Sequence, residues 1–195
     1  VRRAFAAKVI GLDASIGKVL DELDRHQMTD QTLVVFMTDH GGDPKYGGSN
    51  LPLRGDKATL FEGGIRVPCI VRWPKQIVPG SESNAVACAI DWFPTLCDLV
   101  GIDRDRFPLD GKSLLAVLTG EPNPPSSRTL VWRTGAHAEL ERESWFAIRD
   151  GDWKWVQPPG DDAMLFDLAS DPNEARDVAA DHPEVAARLA SQAKE

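Results

Sequence analysis

Three cysteines, Cys69, Cys88 and Cys97, are too few and too odd in number for a disulfide framework, and none stands in a C-x-x-C pair. Each lies among apolar residues and is expected as a small buried hydrophobe; the compartment is left undecided. No apolar run approaches the length needed to span a bilayer. Positive charge is in deficit: 22 Lys and Arg against 30 Asp and Glu leave a formal charge of −8. That argues against nucleic acid or an anionic membrane as the main partner, although basic residues near a site can still hold an anionic substrate. The opening Val1-Arg-Arg-Ala-Phe5 has neither a Met nor an apolar signal core, and is expected to continue from a larger protein. There is no internal repeat. What remains is 195 residues of ordinary globular composition, 42% hydrophobic and 27% charged, enough for one domain or a domain with a small appendage.

One stretch stands out, Leu33-Val-Val-Phe-Met-Thr-Asp-His-Gly-Gly42. Its β-branched run reads as a buried parallel strand that stops at Asp39 and His40. Ligands of open α/β sheets sit beyond such strand ends, and glycines let the backbone approach closely. The alternative is an Asp/His loop that only caps the next segment. Upstream, Phe5, Val9, Leu12, Ile16, Val19 and Leu23 alternate by four and three, one face of an amphipathic helix over 3–25. Helix, turn and strand make half of a βαβ unit. Residues 41–64 form a long loop rich in glycine and charge, and loops of that length are usually functional. A second strand is expected over Ile65–Trp73. A helix follows from an Asp91 N-cap to a Gly101 stop, then a short one over 113–118. Asn123-Pro-Pro-Ser-Ser-Arg128 is the candidate boundary, giving units of 1–125 and 126–195. Beyond it short strands are expected at 129–133, 145–149, 153–157 and 164–168, with a hairpin at Gly151-Asp152 and a closing helix after His182-Pro183. The tryptophans Trp132, Trp145, Trp153 and Trp155 are read as packing of this small sheet rather than a carbohydrate surface.

Four segments then line up: Thr38-Asp-His-Gly-Gly42, Leu53-Arg-Gly-Asp-Lys-Ala-Thr-Leu-Phe-Glu-Gly-Gly-Ile-Arg-Val-Pro68, Asp91-Trp-Phe-Pro-Thr95, and Leu165-Phe-Asp-Leu-Ala-Ser-Asp-Pro-Asn-Glu174. In this order they resemble the C-terminal half of a type I sulfatase, of the alkaline-phosphatase-like superfamily, over essentially the whole chain. The resemblance implies an α/β fold. Residues 1–125 would supply the C-terminal part of a mostly parallel mixed sheet with helices, and 126–195 a small antiparallel subdomain with a C-terminal helix. It implies a divalent metal at the strand ends, usually calcium, with Asp39 as a ligand. The family usually has Asn at the next position. His40 departs from that pattern, and as a softer ligand it brings Mn²⁺ or Zn²⁺ into question. Lys57 matches the lysine that contacts the sulfate group, and an ammonium suits a transferring oxyanion. Arg54 is a further candidate for holding the anion. Arg66 is expected to pair with Glu62, and His26, His137 and His182 to be structural or solvent-facing.

The family's nucleophile is a formylglycine made from Cys or Ser in a C/S-x-P-x-R motif. Cys69-Ile-Val-Arg-Trp73 lacks the proline, and Ser170-Asp-Pro-Asn-Glu174 lacks the arginine. The formylglycine and the aspartates that complete the metal site are thus expected in a missing N-terminal half. The implied parent protein hydrolyses anionic sulfate monoesters: a hydrated aldehyde attacks sulfur and the alcohol leaves. The chain alone is expected to be inactive and, with sheet edge and strand faces uncovered, to self-associate. Asp39-His40 keeps open a phosphodiesterase or phosphonate monoester hydrolase of the same superfamily. Half a site also keeps open a non-catalytic binding or assembly module.

Overall fold

The computed structural model describes residues 1–121, 128–134 and 144–193. The expected boundary at 125–126 and His137 lie outside the described residues. The chain forms two compact units, one of Val1–Asp13, Met37–Cys69 and Ser127–Glu195, the other of Ala14–Phe36 and Ile70–Ser126.

Helix α1 runs over Arg2–Arg25, beginning in the first unit and ending in the second. It stops where Gln27 takes a left-handed φ of 57°. Met28 N–H then reaches back to Leu23 O (2.9 Å) and Gln27 N–H to Asp24 O (3.0 Å), a Schellman ending with glutamine in the glycine position. The apolar stripe is in place, yet no residue of α1 is buried, and Phe5, Val9, Leu12 and Val19 are 38–59% exposed. Strand β1 (Val34–Met37) pairs with β2 (Cys69–Arg72) in a two-stranded sheet. With a single neighbour, β1 is half-buried rather than fully covered.

The expected strand over 65–73 is shorter than anticipated. Glu62–Ile65 instead closes one helical turn, α2, whose end is tied by Arg66 N–H to Glu62 O at 2.7 Å. Pro68 has no N–H to give a ladder, so pairing starts only at Cys69. Cys69, the first residue of β2, is exposed; Cys88 is half-buried and, of the three, Cys97 alone is in the core.

In the second unit α3 spans Trp92–Val100 and stops at Gly101, φ 71°. Asp91 lies in the turn before it rather than serving as its cap. Its buried carboxylate accepts from Cys88 N–H (2.7 Å) and Lys112 N–H (2.9 Å), which pins the chain leading to α4 (Leu115–Leu118).

The first unit is built on an antiparallel sheet of β3 (Thr129–Arg133), β4 (Phe146–Asp150), β5 (Trp153–Gln157) and β6 (Met164–Asp167), in that spatial order. Asp150 pairs with Trp153 across Gly151, which has the positive φ (62°) of a two-residue hairpin turn. Alternation along the strands covers both faces. On one, Ala147, Val156 and Phe166 pack with Leu60 and Phe61, with Trp132 and Trp145 against them. On the other, Ile148, Trp155 and Leu165 pack under Leu189 and Ala193 at the end of the chain, where α5 (Pro183–Gln192) lies, with Trp153 alongside. The four tryptophans therefore serve packing. Each fully buried Phe, Ile or Leu here contributes about 1.5–3 kcal/mol.

Candidate active site

The end of β1 delivers Asp39 and His40 into a loop of the first unit. The Asp39 side chain is 84% exposed, and its Oδ1 accepts from His40 N–H at 3.0 Å. His40 Nδ1 lies 2.9 Å from Gly41 O. A carbonyl only accepts, so Nδ1 donates in this contact, which leaves Nε2 as the ring nitrogen available to a metal. That Nε2 is 3.4 Å from Asp39 Oδ2. Two electron-pair donors facing the same space suit one side of a cation shell. They do not make a whole one: calcium takes six or more oxygens, and among the described residues no group of three or more His, Cys, Asp or Glu gathers.

The loop is held by backbone contacts that glycine permits. Gly41 N–H donates to Gly64 O at 2.8 Å, and a Cβ at Gly41 would collide with the Gly63 carbonyl. Asn50, which the sequence reading did not single out, accepts from Gly42 N–H (2.6 Å) and donates to Gly42 O (2.9 Å) and Gly55 O (3.2 Å). One amide thus ties the loop after His40 to the loop before Lys57. A polar residue between glycines in a long loop is the only signal that could have found it. Lys57 N–H donates to Gly42 O at 3.3 Å, and its side chain is exposed. The next residue, Ala58, is left-handed at φ 73°, and Thr59 locks the turn by donating from Oγ1 to Asp56 O at 2.8 Å. Asp39, His40 and Lys57 are thereby carried on one hydrogen-bonded loop system.

The Arg54 guanidinium stacks over Phe61 at 4.1 Å and donates to Glu174 O at 3.2 Å. Arg66 does face Glu62, at 3.8 Å and half-exposed. His26 sits by Glu22 at the end of α1, and the His182 ring packs against Trp153 at 4.8 Å, tilted by 57°. Beneath Arg54 lies a cluster that strand patterning hides: Lys154, Glu62 and Glu174, all buried. Burial pushes the Glu174 carboxyl up, against the lowering pull of the Lys154 ammonium and the Glu62 N–H.

A family model described as Sulfatase matches residues 1–102, and one described as N-sulphoglucosamine sulphohydrolase, C-terminal, matches residues 55–195. Steryl-sulfatase of Rattus norvegicus is 33% identical over 208 residues, covering 88% of this chain but only 36% of that protein. Among solved structures, that of Ps i-CgsB in complex with k-i-k-neocarrahexaose is similar with a TM-score of 0.87 and 29% identity, covering 98% of this chain and 42% of that one. Phosphonate monoester hydrolase of Agrobacterium radiobacter is similar with a TM-score of 0.67 and 30% identity, covering 92% and 38%. With two matching family models and a shared α/β architecture, the chain belongs to the sulfatase family and has the alkaline-phosphatase-like fold.

Proposed function

We propose that this chain is the part of a sulfatase that supplies Lys57, Asp39 and His40 to a site hydrolysing sulfate monoesters. The observation that supports the reading is the hydrogen-bonded loop system that ties the backbone at Lys57, through Gly42, to the loop that follows Asp39 and His40. The exposed Lys57 ammonium suits the sulfuryl oxygens, on which charge builds as the S–O bond to the alcohol breaks. Asp39 and His40 Nε2 would hold a divalent cation, which when bound supplies Lewis-acid neutralisation of the same charge. Calcium is the family's usual ion; the imidazole nitrogen favours Mn²⁺ or Zn²⁺ more than an amide oxygen would. The nucleophile is a formylglycine contributed by a C/S-x-P-x-R segment that this chain does not contain, so these residues alone turn over no substrate.

A second reading has its own support. His40 stands where the family's amide usually does, and a phosphonate monoester hydrolase shares the fold at 30% identity. Relative kcat/KM values of the full-length protein on an aryl sulfate and on an aryl phosphate diester separate the two. A strong preference for the sulfate is expected; preference for the phosphorus ester overturns it.

A further inference from the structure

Glu62 is held at both its side chain and its backbone. Its Oε1 accepts from the Lys154 ammonium of β5 at 2.7 Å, and its N–H donates to Glu174 Oε2 at 2.6 Å. Glu174 Oε1 lies 2.8 Å from the same ammonium, and Lys154 and Glu174 are fully buried. A buried ion set of this kind is a poor source of stability, since apolar residues of similar volume usually do as well. Its distinguishing property is that it fixes one geometry.

What it fixes lies in the next two residues. Gly63 N–H donates to Arg54 O at 2.7 Å, closing the loop that contains Lys57, and Gly64 O accepts from Gly41 N–H at 2.8 Å. Gly63 and Gly64 are buried with no room for a Cβ, so the turn cannot shift without dragging residues 41 and 54. Lys57 N–H completes the set on Gly42 O. An exposed lysine on a long loop would otherwise sample many positions, and misplacing it weakens whatever it binds.

We infer that the buried Glu62–Lys154–Glu174 triad is the positioning device of Lys57, with Lys154 on the antiparallel sheet and Glu174 on the loop after it acting through the Glu62–Gly64 turn. The inference takes its meaning from the reading of Lys57 as the anion-binding lysine, but its test involves no substrate, so the two stand or fall separately. Backbone amide exchange is followed by NMR in the native chain and in Lys154→Met, Glu62→Ala and Glu62→Gln. The glutamine variant keeps an acceptor for the Lys154 ammonium; the alanine variant does not. Lys154→Met and Glu62→Ala are expected to speed exchange at Gly41, Lys57, Gly63 and Gly64 by about tenfold and to move the Lys57 resonance. The β3–β4 ladder and α5 should speed only through global unfolding, with the steep urea dependence that marks it, whereas the turn amides should speed with little urea dependence; Glu62→Gln should behave as the native chain does. Unchanged exchange at Lys57, turn amides that speed only with the steep urea dependence of the ladder and α5, or Glu62→Gln behaving like Glu62→Ala overturns the inference.

Discussion

Lys154→Met makes the cost of the buried triad measurable. The lysine side chain is 0% exposed, and its two carboxylate partners, at 2.7 and 2.8 Å, are 4% and 0% exposed. Methionine fills a similar volume, so no large cavity opens, but two carboxylates are left without their cation. Removing one partner of a buried ion set costs about 3–5 kcal/mol, because the survivors cannot regain water. Arg66, 3.8 Å from Glu62 and 55% exposed, offers little in return. Against a domain stability of about 5–15 kcal/mol the loss is large. Urea unfolding at neutral pH should show the midpoint falling with an unchanged slope. The triple variant Glu62→Gln/Lys154→Met/Glu174→Gln should recover most of the loss, since it buries no unpaired charge. A loss below about 1 kcal/mol, or a triple variant no better than the single, refutes the reasoning.

Two further outcomes follow from the same structure. Burial, with the Glu62 carboxylate adding to it, holds the Glu174 proton more tightly in the folded chain than in the unfolded one. Its contribution is therefore fully present below its ordinary value of 4.5 and lost as pH rises through the higher folded value. Urea midpoints of the native chain taken upward from pH 4.5 should decline relative to those of Glu174→Gln, and a constant difference contradicts this. The uncovered stripe of Phe5, Val9, Leu12 and Val19 on α1 should drive self-association of the 195-residue chain. Light scattering is expected to show oligomers that Val9→Glu and Leu12→Glu disperse; a native monomer at high concentration argues against it.

Elements whose cause is local were legible in the sequence. Strands β3 and β5 fall at the expected residues, with Gly151 at the turn between β4 and β5. The stripe of α1 was legible too, but periodicity says which face is apolar and not whether anything covers it. The missed features depend on residues far apart in the chain. Glu62-Gly-Gly64 reads as the end of a long loop and Ile65 as the start of a strand; the helical turn found there goes with Glu62 being held by Lys154 and Glu174, 92 and 112 residues away. Lys154 itself lies between two tryptophans in a strand, where a charged residue ordinarily points to water. The candidate site was legible through its motif residues Asp39, His40 and Lys57. The amide that joins their loops, Asn50, carries no pattern of its own.

The central claim is that Lys57 holds the transferring sulfuryl group. Its most direct measurement is kcat on an aryl sulfate, with metal present, for the full-length protein and its Lys57→Ala variant. Loss of a preorganised charge at the reacting oxyanion should lower kcat by about 10²–10³, while the midpoint of urea unfolding stays unchanged because Lys57 is exposed. A variant that hydrolyses the ester at the native rate contradicts the account.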